Sequence, residues 1–179
     1  PSNDKMVESL ISEHPVFPSW LTKRNDFQAY YSELKGVDGI PDSCIIEGIL
    51  KTSPEHRKDG DVAIVRKWLK TNKVLRHLRA GRLMEVCRSM RLLSCPPEVC
   101  IVKEGEKGDA FYIILDGHCN VCIKDVVISE LSTGCSFGEK ALENDAPRSA
   151  SVLSTSACKL MVVYASDYKK IIMCAQGEI

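Results

Sequence analysis

The sequence lacks an excess charge, a membrane-length apolar run and a histidine cluster, and each absence removes a class of function. Lys+Arg and Asp+Glu both number 24, so the formal net charge is zero. A balanced chain has no broad field to gather nucleic acid or an anionic membrane, and any anion site must be local. No apolar stretch nears the ~20 residues that span a bilayer, and the start lacks the basic-then-apolar order of a secretion signal. No nucleic-acid partner and no membrane contact are therefore expected within this chain. It opens at Pro1 without an initiator Met and stops soon after Gly177, which reads as a piece of a longer protein. The only histidines, His14, His56, His77 and His118, lie too far apart to complete a zinc site.

Cysteine, by contrast, is plentiful. There are nine, an odd number scattered along the chain, which argues for reduced core thiols and a cytoplasmic location instead of a disulfide framework. The one Cys-x-x-Cys, "CNVC" from Cys119 to Cys122, falls in a strand-like run. Strand alternation there points the two thiols to opposite faces. At 44% hydrophobic and 27% charged residues, the composition fits one globular domain plus an additional segment.

The first part, to about Leu78, reads as helices separated by Pro- and Gly-marked turns. "DKMVESLISEH" and "RNDFQAYYSELKG" carry helical spacing, the first through Met6, Val7, Leu10 and Ile11. "DVAIVRKWLKTNKVLRHL" places Val62, Val65, Trp68 and Leu69 on one face, followed by Val74, Leu75 and Leu78 in the next turns. "RLMEVCRSMRLLS" continues the period with Leu83, Val86, Cys87 and Met90. After Ser94 the period becomes two. Short runs such as "AFYIILDG", "HCNVCIKD", "VVISELSTG" and "CKLMVVYAS" predict a sandwich or jelly-roll barrel. "GEKGDA" reads as a tight turn in which Gly105 and Gly108 give the backbone freedom. "SDYKKIIMCAQ" returns to helical spacing, with Tyr168, Ile171, Ile172 and Ala175 on one face. Core roles are expected for Tyr164 and Tyr168. The fold class is therefore α+β, divided into a helical extension (1–55), a helical lead-in (56–94), a β-roll (95–165) and the start of a C-terminal helix (166–179).

"SFGEKALENDAPRSASV", Ser136 to Val152, interrupts the strands. It is too long for a hairpin turn. "EKALEN" predicts one short helix just after Phe137 and Gly138, and a helix start offers free N–H groups to a phosphate. Arg148, behind Pro147, reaches the same anion with a two-pronged contact. Glu139 repels that phosphate but accepts from sugar hydroxyls. Phosphate donors and a sugar acceptor in one loop describe a nucleotide. No nucleophile with a base, and no metal constellation, accompanies them, so no enzyme is expected.

"FGEKAL" followed by "APRSAS" resembles the phosphate-binding cassette of cyclic nucleotide-binding domains, and "GEKGDAFYIILDG" resembles their early barrel hairpin. The likeness runs from about Val74 to Ala175. Within the family, "ALENDAPRSAS" and the upstream "SPEHR" look most like the cAMP-regulated guanine-nucleotide exchange factors. The resemblance implies an eight-stranded antiparallel β-roll flanked by N-terminal helices and a C-terminal helix that moves on ligand binding. It implies a ligand site made of Phe137, Gly138, Glu139, Lys140, Ala141, Leu142, Arg148, Ser149 and Ala150. In it Glu139 meets the ribose 2′-hydroxyl, Gly138 and Ala141 offer N–H groups, Arg148 pairs with the cyclic phosphate and Ala150 lines the site. The ligand is cAMP or cGMP, with cAMP favoured and no further cofactor, and a protein effector or other domains would receive the signal. Two positions depart from the pattern: Lys140 stands where an apolar residue is usual, and Ser149 where Ala or Thr is common. The alternative is a domain of this type that no longer binds nucleotide and serves as an interaction module.

Overall fold

A computed structural model of the chain describes residues 42–174. The helices expected over 4–14 and 24–36, and the position of Ala175, lie outside the described residues. Helix α1 (Asp42–Lys51) carries an acid in its first turn and a base in its last, which complements the helix dipole. It buries Ile45, Ile46, Ile49 and Leu50. After a 3-10 turn (Pro54–His56), α2 (Asp59–Leu69) repeats the arrangement with Asp59 and Asp61 at its start and Arg66 and Lys67 at its end. Val62, Val65 and Leu69 form its buried stripe.

That stripe does not continue as one helix. The Asn72 side chain, itself buried, accepts from the Val74 and Leu75 N–H groups at 3.0 and 3.2 Å and donates to the Gly134 carbonyl at 3.3 Å. An asparagine bonding to its own backbone in this way offers the chain a turn in place of a helix. Leu75 still reaches the core. Helix α3 (Ala80–Ser89) then buries Leu83, Val86 and Cys87.

A buried arginine joins these helices. Arg57, from the "SPEHR" run, donates to the carbonyls of Leu50 (3.3 Å), Thr52 (3.0 Å), Cys87 (3.1 Å) and Arg88 (3.0 Å). It thereby satisfies the open C-terminal ends of α1 and α3 at once. Burial, then the neighbouring Arg91, lowers its pKa to about 10, which leaves it charged at neutral pH.

The strands are β1 (Arg91–Cys95), β2 (Cys100–Val102), β3 (Ala110–Asp116), β4 (His118–Ile123), β5 (Val126–Ser132), β6 (Ser136–Phe137), β7 (Ser151–Ser154) and β8 (Cys158–Tyr164). They form two antiparallel four-stranded sheets, ordered β1-β8-β3-β6 and β2-β7-β4-β5. The eight-stranded α+β roll is as expected. The change of period comes earlier than Ser94, because Arg91 already pairs with Val162 and the register runs to Cys95 opposite Cys158. Helical spacing through Met90 cannot reveal this, since long-range pairing decides it.

Alternation on β3 and β8 divides the core in two. Ala110, Tyr112, Ile114, Leu160 and Val162 fill the interior of the roll. Phe111, Ile113, Leu115, Met161 and Val163 face the other way, into the core built with the helices. Every residue of β3 but the last is buried for this reason. Cys119 packs into the roll with Val121, and Cys122 is buried without joining that cluster. All nine cysteines are free thiols.

The chain ends in a short helix, α5 (Ala165–Asp167), that widens into a π-helical turn over Tyr168–Met173. Tyr168, Ile171 and Ile172 are buried there as expected. Tyr164 is not: it is 52% exposed at the last position of β8, beyond the interior cluster that ends at Val162.

Candidate functional site

Strand β6 delivers Phe137 to the mouth of the roll, and Gly138 turns the chain with φ +94°, a conformation that costs glycine little. A Cβ at this position would lie 2.6 Å from Nη1 of Arg148 and 3.0 Å from the Ala110 carbonyl. The expected short helix follows as α4 (Glu139–Glu143). Its first N–H groups have no partner within the helix.

Arg148 is fixed from both its backbone and its side chain. Its N–H donates to the Glu106 carbonyl at 2.7 Å, and its own carbonyl accepts from Gly105 at 2.9 Å. The guanidinium donates through Nη1 to the Gly138 carbonyl (2.9 Å), and through Nη2 to the Ala110 carbonyl (2.8 Å) and Asp109 Oδ1 (2.8 Å). It sits 5.8 Å from the Tyr112 ring, which stacks on Phe137 at 5.1 Å. The Arg148 side chain is 4% exposed and that of Asp109 is 71% exposed, so the ion pair runs from a buried cation to a carboxylate in solvent. Burial, then Asp109, raises the Tyr112 pKa to about 12.

Glu139 presents the opposite situation. Its Oε2 is buried and has no hydrogen-bond partner. A buried carboxylate oxygen without a partner is costly, and sites built for a ligand are where such atoms occur.

Both side chains border one cavity of about 180 Å³, far more than the ~30 Å³ share of a single water. Of the expected site residues, Phe137, Gly138, Glu139, Lys140, Ala141, Arg148, Ser149 and Ala150 line it. Lys140 and Ser149 are exposed at its rim. Leu142 does not line it; Leu142 is buried in the helical core with Phe111 and Tyr168. The apolar wall opposite, made by Val102, Val121, Leu131 and Val152, went unmarked in the sequence, although alternation on their strands is the signal that places them. Asp109 was also missed, and no local pattern links it to Arg148, 39 residues away.

Gly108 has a different reason from the one expected. It has no positive φ; instead, a Cβ there would lie 2.8 Å from the Ala141 Cβ, so its smallness lets the cassette helix approach the β2–β3 turn. On its other side the cassette meets the C-terminal segment. The Tyr168 hydroxyl donates to Glu143 Oε1 at 2.8 Å, Lys169 pairs with Asp145 at 2.9 Å, and the Phe111 and Tyr168 rings lie 5.3 Å apart. Burial, then Glu143, raises the Tyr168 pKa. No metal-binding cluster occurs among the described residues, and none of their helices is long and apolar enough to cross a membrane.

Residues 92–173 match the family model of the cyclic nucleotide-binding domain. In matched sequence and in its two-sheet roll, this part of the chain is similar to a cyclic nucleotide-binding domain. A cyclic nucleotide-gated potassium channel of Rhizobium etli is 34% identical over 137 residues, covering 74% of this chain and 38% of the channel. A cAMP-dependent protein kinase regulatory subunit of Candida albicans is 29% identical over 105 residues, covering 59% of this chain and 23% of the subunit. Among solved structures, the regulatory domain of Toxoplasma gondii PKA in co-crystal with cAMP is similar with a TM-score of 0.61 and 27% identity, covering 68% of this chain and 49% of that one. The chain thus spans less than half the length of each of these relatives.

Proposed function

We propose that the cavity binds a cyclic nucleotide, cAMP in preference to cGMP, and that the domain signals by moving its C-terminal segment. The observation that carries this reading is the partnerless buried Oε2 of Glu139 in the same cavity as the buried Arg148. In this reading Glu139 accepts from the ribose 2′-hydroxyl and Arg148 pairs with the cyclic phosphate. Gly138 and Ala141 donate from the backbone, and Phe137, Lys140, Ser149 and Ala150 complete the wall. Leu142 acts from behind, as the apolar link between the cassette and the helical core.

A ligand signals only when it binds one arrangement better than another. Here the phosphate competes with Asp109 and the Gly138 carbonyl for the guanidinium. Release of those contacts frees α4 to shift, and α4 carries both Leu142 and Glu143. Through Tyr168 that shift reaches the C-terminal segment, which then moves to cover the base.

Preference for cAMP rests on the exchange-factor likeness of "ALENDAPRSAS" and "SPEHR". A Ser149 hydroxyl bonded to guanine adds only ~1 kcal/mol, less than a tenfold bias toward cGMP. We extend the proposal to the division at 55, 94 and 165, a cytoplasmic setting, no further cofactor, and an effector protein or neighbouring domain that reads the movement.

The contact of Asp109 with the guanidinium favours a second reading, in which Asp109 replaces the ligand permanently and the domain serves as an interaction module. Arg148→Ala separates the two. Loss of a buried phosphate partner costs ~2–5 kcal/mol, roughly 30-fold or more in cAMP affinity. Unchanged cAMP binding by the variant overturns the assignment of Arg148, and no binding by either protein favours the second reading.

A further inference from the structure

The zero net charge, from which no membrane contact is expected, conceals a segregated surface. Residues 67–82, from the last turn of α2 into α3, carry Lys67, Lys70, Lys73, Arg76, Arg79 and Arg82, one cation at every third position, and no acid. The rest of the chain holds all 24 acids and the other 18 bases. Summed over the chain these charges cancel, but the local field of this segment is positive.

The backbone turns this row outward. Between α2 and α3 the Asn72 N–H donates to the Leu69 carbonyl and the Leu78 N–H to the Leu75 carbonyl, each at 3.0 Å. Such bonds between residues three apart bring their side chains to one side. Leu69, Asn72 and Leu75 are buried, and the residue after each, Lys70, Lys73 and Arg76, is exposed, as is Arg79. Lys70, Lys73 and Arg79 have no ion-pair partner among the described residues. Trp68 and Val74, each next to a cation of the row, are only half-buried against the helical core.

We propose that this cationic face docks the domain on an anionic lipid bilayer, lying on the surface without crossing it. Charge complementarity selects an anionic partner, and Trp68 with Val74 selects a bilayer among such partners. A leaflet sets an apolar layer directly beneath its phosphates, and indole rings settle at that boundary. A nucleic-acid duplex or an acidic peptide offers no such layer. Nothing has to unfold, because Leu69 and Leu75 stay in the core while the cations meet phosphates and the half-buried side chains meet the outermost acyl carbons. Each Lys or Arg held near such a surface strengthens partitioning about fivefold. This inference stands apart from nucleotide binding and uses none of its residues.

Co-sedimentation of the whole chain with vesicles at about 0.1 M salt tests it. Vesicles of phosphatidylcholine with about one-third phosphatidylserine are expected to pellet the chain, and vesicles of phosphatidylcholine alone are not. Lys70→Gln/Lys73→Gln/Arg79→Gln lowers partitioning about a hundredfold and keeps the wild-type melting temperature. Lys70→Arg/Lys73→Arg/Arg79→Lys preserves binding, since only charge is asked of these residues. Lys103→Gln/Lys124→Gln removes exposed cations elsewhere and changes partitioning by less than about twofold. Equal pelleting with the two kinds of vesicle overturns the proposal, as does a triple Gln variant that partitions like wild type. A chain that binds poly-glutamate or a duplex oligonucleotide but not phosphatidylserine vesicles assigns the face to another partner and overturns it too.

Discussion

The Tyr168 hydroxyl and the Glu143 carboxylate, 2.8 Å apart, tie the C-terminal segment to the cassette helix. A hydrogen bond to a charged group contributes about 1.5–3 kcal/mol, and Glu143 is exposed, so the low end applies. Tyr168→Phe keeps the packing against Phe111 and removes only this bond. We expect a stability loss of about 1.5 kcal/mol by urea denaturation. If the bond holds the arrangement that ligand binding releases, cAMP affinity rises about two- to tenfold at the same time. Equal affinity in the variant would remove the bond from the signalling path.

Alkaline pH should destabilise the domain through its buried acids. Burial raises the Tyr112 pKa from 10.0 and the Cys87 pKa from 9.0, each to about 12. Both groups become charged on losing a proton, and the unfolded chain loses it first. Their contribution is therefore complete below about pH 9 and is lost progressively as pH rises toward 12. Urea midpoints between these limits should fall steadily, and less steeply in Tyr112→Phe. A flat profile would contradict the burial of these two groups.

Arg57→Ala should be among the most damaging single substitutions in the helical part. It leaves buried carbonyls at the ends of two helices without a donor, for a loss of about 3 kcal/mol or more in denaturant unfolding. Arg57→Lys should recover only part of this, because an ammonium cannot span four carbonyls in one plane. A loss below about 1 kcal/mol for the alanine variant would show that water replaces the guanidinium.

Gly138→Ala combines a strained φ with a contact to the arginine it must admit. We expect about 1–3 kcal/mol of destabilisation and loss of cAMP binding, read by thermal melting with and without nucleotide.

Lys140→Leu restores the usual apolar residue of the cassette. If the rim ammonium contributes to phosphate attraction, cAMP affinity falls about two- to fivefold and its salt dependence becomes shallower. An unchanged salt dependence would assign Lys140 to solvent alone.

Legibility in the sequence followed the range of the interactions. Period-two runs announced β3, β4, β5 and β8, because burial on alternating faces leaves its mark on every second residue. The cassette was legible as well, since Gly138, Glu139 and Arg148 are close in sequence and their chemistry conflicts with a plain core. The end of α2 was not: Asn72 breaks the stripe by bonding to backbone next to it and to Gly134 far along the chain. Residues 91–94 read as helix because their strand partner, β8, lies far along the chain. Asp109 escaped for the same reason, although among the described residues it is the acid bonded to buried Arg148.

Calorimetric titration of the chain with cAMP and with cGMP tests the central claim most directly. Saturable one-to-one binding of cAMP, tighter than that of cGMP and abolished in Glu139→Ala/Arg148→Ala, is the expected result. No heat of binding with either nucleotide at millimolar concentration would contradict it, and would leave Asp109 as the permanent partner of Arg148.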